Sequence, residues 1–186
     1  MAAVPDIEPD YIVPWHPGEW TVEEFFELPE DSGSRVELVD GSLLVSPAPA
    51  SRHQEILQKL QFGLHDAVIP GTRLLPGVNV RLNSRRVLIP DLVIVTCPDD
   101  VVYFSAADVL LAVEVESPST KMQDRVLKRA LYAEANIRYY LLVSTVGPVE
   151  ATLFELSEGE YREIARSDGG KLTLTRPVAT TVDLGV

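Results

Sequence analysis

An α/β or α+β domain, with a central mixed β-sheet flanked by helices, is the fold class this chain predicts, and three patterns carry the prediction. The candidate elements run helix, hairpin, helix, strands, helix, strands, an order that implies mixed layers. Leu92 to Val95 and Val109 to Val113 are continuous apolar runs rich in β-branched residues, as expected for strands covered on both faces. The passage from Val109 to Val143 reads strand, helix, strand, the one place where a right-handed parallel crossover is expected.

The elements follow in order. Residues 1–20 hold prolines, both tryptophans and no clear period, and are expected to form an extended N-terminal arm. Thr21 with Glu24 makes a capping box ahead of Phe25, Phe26 and Leu28, so a short helix begins there and stops near Pro29. Arg35 to Ser46 reads as a β-hairpin turning at Asp40-Gly41, with Glu37 pointing away from the face of Val36 and Leu38. Ser51 is the expected N-cap of a helix running to about Val68, whose apolar stripe is Ile56, Leu57, Leu60 and Leu64, with His53 in its first turn. Arg73 to Val95 reads as two or three strands broken at Pro76-Gly77 and Asn83-Ser84. A strand over Val109 to Glu116 precedes a helix from about Lys121 to Ala135, capped by Ser119 or Thr120 and ended by Asn136. Tyr139 to Val143 is a further strand. The segments Ala151 to Leu156, Tyr161 to Ala165 and Leu172 to Thr175 read as a hairpin or meander.

With 186 residues, 46% of them hydrophobic, the chain has enough for one core, so residues 21–186 are expected to form a single domain. No segment approaches the roughly 20 apolar residues of a membrane-spanning helix, and the first ten carry acids and prolines where a signal peptide would be basic and then apolar. A soluble, cytoplasmic protein is expected. Cys97 stands alone and cannot pair internally, which suits a reducing compartment, and a buried inert thiol is the expected role. The net charge of −12 argues against a nucleic-acid partner, because phosphate backbones are bound by neutralising them. Arg73, Arg81, Arg85 and Arg86 fall within fourteen positions, and the sequence leaves open whether they form a phosphate-facing patch or a solvated strand and turn.

The chemistry concentrates at Ile-Pro-Asp, 89 to 91, and Ala-Val-Glu-Val-Glu-Ser-Pro-Ser-Thr, 112 to 120. Asp91 and Glu114 sit in or beside apolar strands, where an ionised group costs several kcal/mol unless a cation or hydrogen bonds compensate it. Neighbouring strands lie about 4.8 Å apart, so both carboxylates can reach one ion. Mg²⁺, with Mn²⁺ as its substitute, needs only one or two protein carboxylates plus water and substrate oxygens, and the carbonyl of Val115 would add a ligand. Such an ion lowers the pKa of a bound water and stabilises charge developing on a phosphodiester. Period-two alternation puts Glu114 and Glu116 on one face and Val113 and Val115 on the other. The simplest metal-nuclease arrangement has a lysine at position 116; here Lys128 is the substitute, on one line with Asp124 and Tyr132, and Lys121 is second choice.

Each residue also has a plain structural reading. Asp91 can bond its own turn, Glu37 can pair with Arg35, Lys128 can pair with Asp124 on a helix surface, His53 can be a hydrogen-bonded structural residue, and Glu116 can be solvated.

Together, Glu37 in Arg-Val-Glu-Leu-Val-Asp-Gly, His53 in Ser-Arg-His, Ile-Pro-Asp-Leu at 89 to 92, Val-Glu-Val-Glu-Ser-Pro-Ser-Thr at 113 to 120, Asp124-Arg-Val-Leu-Lys128 with Tyr132-Ala133, and Tyr139-Tyr140-Leu-Leu-Val resemble the restriction endonuclease family of the Uma-two type. That family lies within the PD-(D/E)XK nuclease superfamily, and the resemblance covers about residues 21 to 185. It implies a restriction-endonuclease-like core with an extra N-terminal hairpin and C-terminal strands, Mg²⁺ dependence, and a catalytic lysine moved from the strand to the following helix. Carried over, Glu37, Asp91, Glu114 and Lys128 become catalytic residues. Glu116 departs from the apolar residue frequent there, and Ser144 stands where the family often has aspartate.

A metal-dependent endonuclease acting on DNA, as a homodimer, is therefore expected. A catalytically silent nuclease-fold protein with a binding or regulatory role is the alternative, favoured by the acidic charge and by Glu116. A two-carboxylate glycosidase using Asp91 and Glu114 ranks behind both, since no aromatic sugar platform is evident.

Overall fold

The computed structural model describes residues 14–29, 34–116 and 123–185. The first helix, α1 (Val22–Phe26), carries the expected capping box: the Thr21 side chain accepts from the Glu24 amide while the Glu24 carboxylate accepts from the Thr21 amide. The hairpin of β1 (Arg35–Val39) and β2 (Ser42–Ser46) turns at Asp40 and Gly41 with φ of 49° and 83°. Positive φ at both positions is what a two-residue turn between twisted strands requires.

Helix α2 (Ser51–His65) begins one residue earlier than expected. Ala50 is the N-cap and no side chain caps the helix, so Ser51 belongs to its first turn. Ile56, Leu57, Leu60 and Leu64 are buried along one stripe, as the spacing demands. The segment expected to hold two or three strands holds four: β3 (Arg73–Pro76), β4 (Val80–Asn83), β5 (Arg86–Leu88) and β6 (Leu92–Val95). Pro90 separates β5 from β6 because a proline has no N–H to give a ladder. A two-residue β7 (Phe104–Ser105) leads through a 3-10 turn (Ala106–Asp108) into β8 (Val109–Glu116). A π-helical turn (Gln123–Lys128) runs into α3 (Arg129–Glu134). Asn136, at φ 60°, ends it as expected: its amide bonds Ala133 O and that of Ile137 bonds Tyr132 O, the paired closure of a left-handed helix cap. The expected caps Ser119 and Thr120 lie outside the described residues. The C-terminal part holds β9 (Tyr139–Ser144), β10 (Glu150–Ser157), β11 (Glu160–Arg166), β12 (Lys171–Leu174) and β13 (Thr180–Asp183), the last not expected from the sequence.

The strands form three sheets, ordered β2-β1-β5-β4-β7, β11-β10-β9-β8-β6-β3 and β12-β13. β8 and β9 pair in parallel across the crossover, while β6 and β8 are antiparallel neighbours, so the larger sheet is mixed, as expected. Alternation along β8 divides the core. Leu111, Val113 and Val115 pack with α2 and the β12-β13 sheet, whereas Ala112 packs with Tyr132, Tyr140 and Phe154 beside α3. Val36 and Leu38 of β1 bury against Val22 and Phe25, which leaves Glu37 on the other face.

Residues 1–13 of the expected arm lie outside the described residues; within 14–20, Trp15 is exposed and the Trp20 amide donates to Gly41 O. Among the described residues no helix is long and apolar enough to cross a membrane.

Candidate active site

β1 brings Glu37 to the seam between the two larger sheets. The residue is fully buried, and its Oε1 accepts the Ile89 amide at 2.8 Å and the Lys128 ammonium at 3.0 Å. Oε2 is buried with no hydrogen-bond partner among the described residues.

Asp91 stands one residue before β6, on the same side of the sheet as Val93 and Val95, which is also the side of Ala112. Its Oδ1 accepts from Arg35 at 2.7 Å, and its Oδ2 lies 2.7 Å from the Val115 amide and 3.1 Å from His53 Nε2. Burial pushes the Asp91 carboxyl up, but the His53 hydrogen bond, the Arg35 charge and the Val115 amide outweigh it and hold the pKa at about 2. An ionised Asp91 can only accept, so Nε2 of His53 donates to it, while Nδ1 is buried without a partner among the described residues. The Val115 contact follows from the ladder. Continuing the β6-β8 register, in which Leu92 faces Val113, puts Val115 opposite Pro90. Proline offers no N–H, so the ladder cannot satisfy the Val115 carbonyl there, while the Val115 amide turns to the Asp91 side chain.

Glu114 is 1% exposed and faces α3. Its Oε1 accepts from Lys128 Nζ at 3.1 Å and from the Tyr132 hydroxyl at 2.6 Å. Lys128 and Tyr132 are four residues apart, which places them on one helical face. Burial, then the charges of Glu114 and Glu37, raise the Tyr132 pKa well above its ordinary value, so this hydroxyl stays neutral and donating. Lys128 bridges two carboxylates from two sheets, and with Arg35 it sets two cations against three acids.

The donor set is one of hard oxygens. Among the described residues no three His, Cys, Asp or Glu side chains form a ready-made metal cage. A hard divalent cation does not need one, since one or two carboxylates suffice when water and phosphate complete its shell. Asp91 and Glu114 on one sheet face, the surplus of negative charge and the unsatisfied Glu37 Oε2 fit such an ion.

Glu37, Asp91, Glu114 and Lys128 thus meet in one buried cluster, joined by His53, Tyr132 and the Val115 amide. Glu116 is fully buried rather than solvated, and its backbone carbonyl accepts from the Thr145 hydroxyl at 2.6 Å. Lys121 and the side chain of Asp124 lie outside the described residues. Arg35 pairs with Asp91 rather than with Glu37, and it is the site residue the sequence reading missed. Its signal was present: Arg35 and Glu37 are two apart on one strand and so share a face. The arginines of the 73–86 cluster are matched to acids. Arg73 pairs with Asp100, Arg81 approaches Glu23, Arg85 pairs with Glu19, and Arg86 with Asp40 and Glu134.

A family model named Uma2 and described as "Putative restriction endonuclease" matches residues 22–185. No curated protein matches the chain. Among solved structures, the chain is similar to a protein from Anabaena variabilis described as a "putative nuclease belonging to DUF820". The two are 18% identical, the match covers 85% of this chain and 89% of that one, and the TM-score is 0.66. The likeness shows a nuclease-like fold: a large mixed β-sheet with few helices.

Proposed function

The chain belongs to the Uma2 family, and from that premise we propose that it is a metal-dependent endonuclease that hydrolyses phosphodiester bonds of DNA. One observation carries the reading: Lys128 Nζ stands 3.0 Å from Glu37 and 3.1 Å from Glu114, while Asp91 lies on the same face of the sheet as Glu114. Asp91 and Glu114, with the Val115 carbonyl, would hold Mg²⁺ or Mn²⁺. When bound, that ion supplies an acidified water and a Lewis acid for the phosphoryl oxygens.

The chain's own groups do the rest. Asp91 stays ionised throughout the neutral range, held by Arg35, His53 and the Val115 amide. Tyr132 donates to Glu114 Oε1 and fixes that carboxylate in one orientation. Lys128, anchored between Glu37 and Glu114, orients the attacking water and offsets charge as it builds on the phosphate oxygens. The depth of these groups keeps the dielectric low, where such charges act most strongly. We extend the reading to residues 21–186 as one domain, to a cytoplasmic setting for the lone Cys97, and to a homodimer, since cutting both strands of a duplex takes two centres.

The test is nicking of a supercoiled plasmid in Mg²⁺ or Mn²⁺. Wild type should nick, EDTA should stop it, and Asp91→Asn should abolish it. Equal behaviour of wild type and the variant would sink the proposal. A second reading, a silent nuclease fold that binds without cutting, draws on the hydrogen bonds that engage both Asp91 oxygens. Metal binding by calorimetry without any nicking would select it.

A further inference from the structure

We propose that Arg35 is a displaceable counter-ion: it guards Asp91 until a divalent cation enters, then swings to a non-bridging oxygen of the substrate phosphate. The inference rests on the nuclease reading above.

The geometry of Asp91 makes Arg35 the obstacle. Oδ2 is engaged twice, by the Val115 amide and by His53, so an arriving cation must contend for Oδ1, where the Arg35 guanidinium sits at 2.7 Å. The charges of Asp91, Glu114 and Glu37 all bear on that guanidinium, which therefore does in this structure what a metal ion would do: it neutralises the acids. Two cations cannot both occupy one carboxylate oxygen without repelling each other. Arginine has no way out by losing its proton, so it must move.

Arg35 is also the cation able to move. The Lys128 side chain is 4% exposed and tied to two carboxylates, whereas the Arg35 side chain is 28% exposed and spans from buried Asp91 to solvent. The bond to Asp91 is the one its guanidinium makes among the described residues. A guanidinium has five N–H donors in a planar fork suited to phosphate oxygens, and with one of them given to Asp91 the others remain for such a ligand. The paired arginines of the β4-β5 region offer no such reserve, each being matched to an acid. Metal entry and phosphate capture are thereby linked through one side chain.

The experiment compares wild type with Arg35→Met, Arg35→Gln and Arg35→Lys. Mn²⁺ affinity is measured by calorimetry without nucleic acid, and KM and kcat on a duplex oligonucleotide separately. Removing the competing charge should tighten Mn²⁺ binding on the order of tenfold in Arg35→Met and Arg35→Gln, while KM for the oligonucleotide rises by about tenfold or more. Arg35→Lys, which keeps the charge, should bind Mn²⁺ as wild type does and regain part of the KM. A merely structural Arg35 would give the opposite sign, because a loosened Asp91 binds metal more weakly; weaker or unchanged Mn²⁺ binding in both uncharged variants overturns the proposal, as does an unchanged KM. Arg35→Gln keeps a donor for Oδ1 and serves if Arg35→Met does not fold. Wild type that binds Mn²⁺ yet cuts nothing overturns the nuclease reading itself, a different outcome from any of these.

Discussion

Lys128 Nζ stands 3.1 Å from Glu114 Oε1 although both side chains are almost wholly buried. An ion pair taken this far from water contributes little net stability when intact, but losing one partner leaves the other charge uncompensated. Lys128→Met should therefore cost about 3–5 kcal/mol in urea unfolding. The double variant Lys128→Met with Glu37→Gln should recover part of that stability and none of the nicking. Full stability in the single variant would show that the pair is solvated rather than buried.

Tyr132→Phe removes the hydroxyl that fixes Glu114 and leaves the ring packed beside Tyr140. A lost hydrogen bond to a charged acceptor should cost about 1.5–3 kcal/mol. Mn²⁺ affinity should fall roughly 10- to 100-fold, as when a ligand loses the neighbour that orients it. Calorimetry reads both, and a variant with undiminished metal binding would leave Tyr132 as packing alone.

Asp91 makes stability depend on pH in acid. Its folded pKa of about 2 lies below the ordinary 3.8, so the unfolded chain binds the proton more readily and stability rises with pH across that window. The contribution, on the order of 2 kcal/mol, should be fully present above about pH 4 and fade as pH falls toward 2. The difference between wild type and Asp91→Asn in urea midpoint should shrink over that interval. A difference that stays constant with pH would mean that Asp91 is not held in its charged form.

Gly63→Ala tests the packing of α2 on the β12-β13 sheet. A Cβ at position 63 would lie 2.8 Å from both Val182 methyl carbons, and the Gly63 carbonyl also accepts the Thr180 hydroxyl. Alanine gains about 1 kcal/mol of helix propensity, but overpacking of this kind costs about 1–3 kcal/mol, so the melting temperature should fall. Gly63→Ala with Val182→Ala should restore it. A higher melting temperature in the single variant would show that the helix can shift on the sheet.

Much of this arrangement was readable along the chain because strand alternation and helix spacing are local rules. Val113 and Val115 against Glu114 follow from a period of two, and Lys128 with Tyr132 from a spacing of four. The same rules put Glu37 opposite Leu38, and Asn136 at its helix end. Where the reading fell short, the deciding contact joined distant segments. β13 emerges because its alternating Thr180 and Val182 pair with β12 and cover α2. The sequence left the role of the β4-β5 arginines open, because their partners Glu19, Glu23, Asp40 and Glu134 come from other elements.

The sequence by itself determined that acids stand in apolar strands and that a lysine and a tyrosine share one helical face, since side-chain direction is set by backbone period. Only the tertiary structure decided which cation meets which acid. Arg35 lies next but one to Glu37 in the chain yet bonds Asp91, and Lys128 takes Glu37 instead. Electrostatic partners inside a core are chosen by which charges burial brings together, and burial is a property of the packed sheets, not of neighbours in sequence.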